Sequence, residues 1–353
     1  MKKWVKNLAI SFVVPSMLLL GGCGGGSGEK STAASPTQAA PSGSKERTLK
    51  MGISIGKDHP LGQGIDKFAD IVKQKSDGKI KVQNYYDSTL GDEKKMAEAV
   101  KAGLQDMTVI TTAPLTGTVK EFGVFDFPFT FNNEKEVDTV LQGAFGKKML
   151  ETLPPHNLVG LSFWENGFRN VTSAKHPITS VDDFKGMKIR TMQNPIHLEV
   201  FKTFGANPTP MAISEVFTAL ESKAIDGQEN PVQIIENLKM NEVQKYLSLT
   251  KHVYAPFIFL VNKKLWNELS DDEKKIMQEA ADEAGKFQRE TIRASTKETI
   301  EKLKADGMQV NELSPEATAK MQELAKPLMG QFSKQIGEDL VKEFFDEVSK
   351  ARQ

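Results

Sequence analysis

The sequence predicts an α/β fold that is large enough to form two domains. Strand-like and helix-like segments alternate from residue 49 onward, which favours largely parallel sheets with right-handed crossovers. The 353 residues also exceed the roughly 100 to 200 that one domain usually contains. A helical pattern without proline spans residues 270–307, roughly 50 Å at about 1.5 Å per residue, so we expect this helix to lie across both domains.

The N-terminus has the pattern of an export signal. Three lysines precede an apolar run at residues 8–20, which is shorter than the roughly 20 residues of a membrane-spanning helix. Leu20-Gly21-Gly22-Cys23 then resembles a bacterial lipobox, in which cleavage before the cysteine leaves it to carry lipid. We therefore expect a lipoprotein signal peptide at 1–22 and a membrane anchor at Cys23, with an ordinary signal peptide as the alternative.

A polar segment follows Cys23. Residues 24–44 are mainly Gly, Ser, Thr, Ala, Pro and Gln, and they cannot bury enough apolar surface to offset the entropy lost on ordering. We expect residues 23–46 to be a flexible, lipid-anchored tether that holds the folded region off the membrane.

Composition excludes several classes of protein. Cys23 is the only cysteine, so the exported chain has no internal disulfide and no thiol for catalysis. Without the three N-terminal lysines, 43 basic residues remain against 46 acidic ones, a net charge of −3. That balance lacks the basic stripe of a nucleic-acid-binding protein.

The folded region opens with three strands separated by two helices. Residues 49–55, 80–82 and 107–112 have strand patterns, and the carboxyl ends of the first and third place Ser54 and Thr111 toward a ligand crevice. The run FGVFDFPFTF at 122–131 could be a hydrophobic ligand box. Burial statistics favour the other interpretation, a loop anchored in the core.

Two arginines follow later strands. After a strand at 158–164, Gly167 and Arg169 predict a hinge that carries a cationic ligand contact, although a solvated arginine fits equally well. Arg190 ends the strand at 188–190, and Asn230 lies in a turn one strand and two helices later. Because the ends of successive strands meet in one crevice, Arg190 can bind a carboxylate through two N–H groups while Asn230 adds an amide.

The C-terminal part supplies the remaining elements. Residues 246–250 and 256–261 have strand patterns, and the second is apolar enough to be buried on both faces. A capping box at Ser270 and Glu273 marks the start of the long helix, which is either one helix or two nearly continuous ones. A bend near Gly285 is compatible with this pattern. Another helix begins at Ser314, with proline at its first position.

No catalytic or metal-binding motif is present in the sequence. None of the five histidines has a partner at the i, i+4 spacing of a helical zinc site, and GxSxG, P-loop and strand-linked GxGxxG motifs are missing. Asp92 and Glu93 could act as acid and base, but carboxylates at a helix start mostly interact with its dipole. We predict a protein that is not an enzyme and uses no metal or cofactor.

Three blocks of sequence strongly resemble the DctP-type substrate-binding proteins of tripartite ATP-independent periplasmic (TRAP) transporters: GMKIR at 186–190, GANPTPMAISEVF at 205–217 and DGQENP at 226–231. This resemblance implies a two-lobed periplasmic binding protein fold, in which each lobe is a mixed, largely parallel sheet flanked by helices and a long helix spans both. It implies lobe I at 47–167 plus 256–294 and lobe II at 168–255 plus 295–353, with hinges near Gly167 and Ala255.

The resemblance also implies the ligand contacts. Arg190 would pair with the ligand carboxylate, Arg169 would add a second cationic contact, and Asn230 would complete the clamp. A structural ion pair is the alternative role for Arg190. Five further residues occupy positions that contact the rest of the ligand in relatives: Ser54, Glu93, Thr111, Gln193 and Ile213.

Departures from the family pattern narrow the range of expected ligands. Ile213 stands where sialic-acid binders have phenylalanine, and Ser54 and Thr111 replace longer polar side chains, so sialic acid is not expected. The segment WENG at 164–167 resembles the dicarboxylate-binding and sugar-acid-binding branches of the family, which would make Trp164 a ligand contact. Trp164 can equally be a core residue. His59 could donate to a second carboxylate or a sugar hydroxyl, or be a solvated loop residue.

We therefore expect an exported, lipid-anchored monomer in the periplasm or on the outer face of the cell membrane. It would capture a small organic acid, either a C4-dicarboxylate or a sugar acid, and deliver it to the small and large membrane subunits of a TRAP permease. A binding protein of an ATP-driven importer is the alternative, because it would share the two lobes and the lipobox. A lipid-anchored enzyme is the third hypothesis, and it would require turnover of a bound ligand.

Overall fold

A computed structural model describes residues 46–353. The predicted signal peptide, Cys23 and all but the end of the tether lie outside this range, so those expectations stay predictions. Within the described range, no helix is both long enough and apolar enough to cross a membrane.

The strands of this region form one nine-stranded sheet in the order β2-β1-β3-β8-β4-β7-β5-β6, with β9 paired to β8. The strands are β1 (Arg47–Gly52), β2 (Ile80–Tyr85), β3 (Met107–Thr111), β4 (Leu158–Ser173), β5 (Lys188–Thr191), β6 (Asn207–Pro210), β7 (Gly227–Asn230), β8 (Tyr246–Asn262) and β9 (Gln309–Glu312). The helices are α1 (Pro60–Lys75), α2 (Glu93–Ala102), α3 (Glu134–Leu141), α4 (Ala144–Leu150), α5 (Pro195–Thr203), α6 (Ile213–Glu221), α7 (Val232–Asn237), α8 (Lys263–Glu268), α9 (Asp271–Ala305), α10 (Pro315–Ile336) and α11 (Glu338–Ala351).

Two long antiparallel strands, β4 and β8, lie in the middle of the sheet. On one side β1 pairs in parallel with β2 and β3, and on the other β5 pairs in parallel with β6 and β7. The expected strand-helix alternation and mixed, largely parallel arrangement are thus confirmed. The two separate strands predicted at 246–250 and 256–261 are wrong, because β8 continues through both, with Lys251 at φ 43°.

The pairing of β4 with β8 is irregular at three places, between Gly160 and Phe163, between Glu165 and Gly167, and between Arg169 and Val171. Gly167 has φ 117°, a backbone conformation that glycine adopts far more readily than other residues. Side chains of a strand normally point to alternate faces of the sheet. The shifts in pairing interrupt this alternation, so they change the direction of the side chains around Gly167.

Helix α9 runs without interruption for 35 residues, about 52 Å at 1.5 Å per residue, and begins at the predicted capping box of Ser270 and Glu273. It packs against α1, α7 and β4. Gly285 marks its close approach to β4, since a Cβ at this position would lie 2.5 Å from Trp164 Nε1.

The phenylalanine-rich segment belongs to the core. Residues Lys120–Asp126 form a 3₁₀ helix, and Phe125 packs at 5.4 Å from Phe163 and 5.8 Å from Phe344 of α11, measured between ring centroids. The anchored-loop interpretation of residues 122–131 is therefore confirmed.

Candidate functional site

A small cavity of about 20 Å³ lies at the carboxyl ends of β1, β3, β5 and β7, where the crevice rule places ligands. Its charged lining residues are Glu93, Arg169 and Arg190. Its neutral polar lining residues are Ser54, Thr111, Asn166 and Asn230, and its apolar ones are Ile55, Met192, Ile213, Ile234 and Phe257.

Arg169 is fully buried and paired. It projects from β4, and the antiparallel register that sets Asn170 opposite Asn230 brings β7 alongside it. Its Nε and Nη2 donate to the carboxylate of Glu229, and Nη2 also donates to Asn230 Oδ1 at 3.0 Å. Glu229 therefore balances the charge of Arg169 and fixes the direction of its guanidinium.

Glu229 is held by a second neighbour. His252 Nε2 lies 3.2 Å from Glu229 Oε2, and its Nδ1 lies 2.8 Å from Thr250 Oγ1. Burial alone would raise the pKa of Glu229, but Arg169 and His252 outweigh it and hold that pKa well below its usual value. Burial also lowers the pKa of His252, against the opposing effect of Glu229, so the pair is an ionised carboxylate and a neutral imidazole.

Arg190 has a different environment. Its Nε and Nη2 both donate to the carbonyl of Met211, at 3.0 and 2.8 Å, while Nη1 is buried without a hydrogen-bond partner. Among residues 46–353 it takes part in no ion pair. Burial lowers its pKa to about 10, so it stays charged at neutral pH. The cavity therefore contains a buried cation without a carboxylate of its own.

Glu93 is the one carboxylate that lines the cavity. It is the first residue of α2, whose N-cap Asp92 accepts from the backbone N–H of Lys95. Glu93 Oε1 accepts from Thr111 N–H at 3.1 Å and lies 3.4 Å from Ser54 Oγ, and Oε2 accepts from the Thr111 hydroxyl. Burial raises the pKa of Glu93, opposed by the Thr111 hydrogen bonds and by the two arginines.

Seven of the ten predicted ligand contacts line this cavity: Ser54, Glu93, Thr111, Arg169, Arg190, Ile213 and Asn230. Three lie elsewhere. Gln193 is exposed beside a neighbouring pocket that shares Glu93 and Arg190. Trp164 is in the core, where Nε1 donates to Ala281 O at 3.1 Å.

His59 is the third residue outside the cavity lining. It is buried as the N-cap of α1, with Nδ1 accepting from Leu61 N–H at 3.0 Å. Because His59 is buried, it is not a solvated loop residue.

Sequence reasoning missed Asn166 and Glu229. Asn166 lies beside Gly167, in the segment already singled out as a hinge, and its Oδ1 is buried without a hydrogen-bond partner. Glu229 is inside the block DGQENP, but its pairing with Arg169 depends on the register of β4 and β7, for which the sequence carries no local signal. Four apolar lining residues, Ile55, Met192, Ile234 and Phe257, were also missed.

Comparison with known proteins gives a family match over most of the chain. The family model described as bacterial extracellular solute-binding protein, family 7 (DctP), matches residues 51–335. The 2,3-diketo-L-gulonate-binding periplasmic protein YiaO of Escherichia coli K12 is 33% identical over 264 residues, 75% of this chain and 80% of YiaO. The C4-dicarboxylate-binding periplasmic protein DctP of Rhodobacter capsulatus is 31% identical over 314 residues, 88% of this chain and 93% of that protein.

Solved structures agree with the fold. The sugar acid binding protein DctPAm of Advenella mimigardefordensis, in complex with galactonate, has a TM-score of 0.85 and 43% identity, covering 87% of this chain and 99% of that one. A TRAP periplasmic solute-binding protein of Sulfurospirillum deleyianum with bound succinate has a TM-score of 0.81 and 30% identity, covering 85% and 98%. The expected two-lobed fold and the absence of an enzymatic role are confirmed by these relatives. The chain belongs to family 7 of the bacterial extracellular solute-binding proteins, the DctP family of TRAP transporters.

Proposed function

We propose that this protein is an extracytoplasmic solute-binding lipoprotein, anchored at Cys23, that captures a small organic acid between two closing lobes. It delivers the acid, a sugar acid or C4-dicarboxylate, to the membrane subunits of a TRAP permease. The observation that carries the proposal is Arg190, a buried guanidinium with an unpartnered Nη1 and no ion pair among the described residues. A ligand carboxylate would supply both the missing acceptor and the missing charge.

The surrounding residues support the same role. Arg169 and Asn230 are fixed by hydrogen bonds among themselves and Glu229, so they offer a preorganised second contact to the carboxylate. The relatives named above for 2,3-diketo-L-gulonate, C4-dicarboxylates and galactonate are consistent with a small organic acid as the ligand.

Calorimetric titration of the purified protein with sugar acids and C4-dicarboxylates tests the proposal. Arg190→Ala would leave the ligand carboxylate buried without its partner, a loss of about 2 to 5 kcal/mol. At about 1.4 kcal/mol per decade, affinity should fall at least thirtyfold. Arg190→Lys keeps the charge but not the planar pair of donors, so it should recover only part of the loss. On the same samples, a saturating acid should reduce the radius of gyration of the wild type in small-angle scattering.

Two controls separate a ligand clamp from a structural ion pair. Arg352→Ala removes an arginine that pairs with Glu136 outside the cavity, and it should leave affinity unchanged. Unliganded Arg190→Ala should lose only the hydrogen bonds to the Met211 carbonyl, about 1 to 2 kcal/mol, and not the roughly 3 to 5 kcal/mol of a broken buried ion pair. Equal affinity of Arg190→Ala and wild type, or a loss of several kcal/mol of stability without ligand, would contradict the clamp.

A further inference from the structure

One side of the cavity consists of hydrogen-bond acceptors. This surface, here called the acceptor wall, is formed by Ser54, Glu93 and Thr111. The hydroxyl of Thr111 donates its hydrogen to Glu93 Oε2, and the hydroxyl of Ser54 points its hydrogen at Oε1 over 3.4 Å. A hydroxyl has one hydrogen, so the hydroxyl oxygens of Ser54 and Thr111 can only accept hydrogen bonds from a ligand. The ionised carboxylate of Glu93 can likewise only accept.

Asn166 adds another polar group to the same cavity. Its Oδ1 is buried and has no hydrogen-bond partner among the described residues. A buried acceptor without a donor costs free energy, so a ligand that brings a donor to this position is favoured. The acceptor wall and Asn166 together favour a ligand that carries several O–H donors.

The charges of the site point to a single ligand carboxylate. Arg169 is balanced by Glu229, and Arg190 faces the cavity together with Glu93, so these four groups sum to zero when all are ionised. A monoanion that binds Arg190 adds one negative charge. A dianion adds two, and its second charge has no cation left to balance it among these four groups while Glu93 is ionised.

We propose that the cavity selects monocarboxylates that carry several hydroxyl groups, the chemistry of aldonates, and rejects dicarboxylates, with Glu93 as the specificity-determining residue. A second carboxylate would bring acceptor oxygens and a like charge against the acceptor wall, whereas the hydroxyl groups of an aldonate donate to it. This inference rests on the proposed function and narrows its ligand class.

Matched pairs of acids that differ only at the far carbon provide the test. Galactonate and galactarate form the six-carbon pair, and erythronate and meso-tartrate form the four-carbon pair. By calorimetry, the wild type should bind at least one aldonate more tightly than its dicarboxylate partner by about tenfold or more, because like charges repel in a buried site. Hexanoate, which has the chain length of galactonate but no hydroxyl group, should bind far more weakly than galactonate.

Glu93→Gln tests the residue itself. The amide keeps the shape of Glu93 but removes the charge and presents N–H donors, so the preference for the aldonate should shrink by about tenfold or reverse. Glu98→Gln is the matched control, since it makes the same change at an exposed position of α2 outside the cavity lining, and it should keep the preference. Thermal melting of each variant checks the fold.

The outcomes separate this inference from the proposed function. If the aldonate binds the wild type no more tightly than its dicarboxylate partner in both pairs, or if Glu93→Gln leaves the preference unchanged, the inference is overturned while acid capture stands. If no acid of either class binds, the proposed function fails, and the inference fails with it.

Discussion

The two arginines of the cavity differ in what their removal would leave behind. Arg169 is paired with Glu229, and deleting either partner would leave a buried charge uncompensated, which costs about 3 to 5 kcal/mol. Arg190 donates only to the Met211 carbonyl and has no ion pair among the described residues. We infer that Arg169 belongs to the fold as well as to the site, whereas Arg190 serves the ligand.

His59 gives the fold a pH dependence that can be measured. Burial lowers its pKa from 6.5 to about 3, and its Nε2 is buried without a partner. Between these values the unfolded chain binds a proton that the folded chain does not, so stability falls as the pH drops below 6.5. By this linkage, the free energy of unfolding should lose roughly 2 kcal/mol through His59 between about pH 7 and pH 5.

Urea unfolding of the wild type and His59→Asn at both pH values measures this contribution. Asparagine is a good N-cap, so the variant keeps the acceptor that Leu61 N–H needs. Other titrating groups are common to both proteins and cancel in the difference. A difference in stability that does not change with pH would contradict a neutral, buried His59.

At the scale of elements, the contact between α9 and β4 depends on a glycine. Trp164 of β4 is held by hydrogen bonds from Nε1 to Ser162 Oγ at 3.0 Å and to Ala281 O at 3.1 Å. Gly285 leaves room for this ring at the middle of α9. The helix therefore contains a residue of poor helix propensity because a better helix former would collide with the indole.

Gly285→Ala should destabilise the protein by about 1 to 2 kcal/mol, because overpacking outweighs the gain in helix propensity. The new Cβ would lie 2.5 Å from Trp164 Nε1 and 2.7 Å from Cδ1. Gly330→Ala in α10 is the matched control, since nothing lies within 4 Å of its Cβ, and it should stabilise by about 0.5 to 1 kcal/mol. Equal stability of the two variants in urea unfolding would show that the Trp164 contact is not tight.

Local signals explain which elements could be predicted. The capping box of Ser270 and Glu273 and the turn residues between the early strands fixed their boundaries because each acts within a few residues. The continuity of β8 could not be predicted, since Lys251 has a positive φ and Pro256 lacks an N–H, and both usually end a strand. The role of Trp164 depends on Gly285, more than a hundred residues away.

At the scale of the whole molecule, the lipid anchor proposed at Cys23 would determine where the protein works. A single acyl chain holds a protein only marginally to a bilayer, whereas the several chains of a lipoprotein hold it firmly. Cys23→Ser should therefore move the protein from the membrane fraction to the soluble fraction of broken cells, with ligand affinity unchanged. A wild type found wholly in the soluble fraction would contradict the anchor.

The site was predictable to the extent that strand ends and sequence blocks identify it. Ser54, Thr111 and Arg190 lie at or just after strand ends, and the crevice rule brings them together. The partners that set their charge and hydrogen bonding could not be predicted in the same way. The pairing of Glu229 with Arg169 depends on the register between β7 and β4. Glu93 begins helix α2 and accepts a hydrogen bond from the hydroxyl of Thr111 at the end of β3.

The shifted pairing of β4 with β8 has a consequence for the order of events in capture. Asn166 and Arg169 lie at these irregularities, close to where the sequence places the hinge, whereas Ser54 and Glu93 follow β1 and begin α2. Residues at a pivot travel little while those at the ends of its arms travel far. If the lobes close as proposed, an acid can meet Arg169 in the open protein, and the acceptor wall then acts mainly on how long the complex lasts.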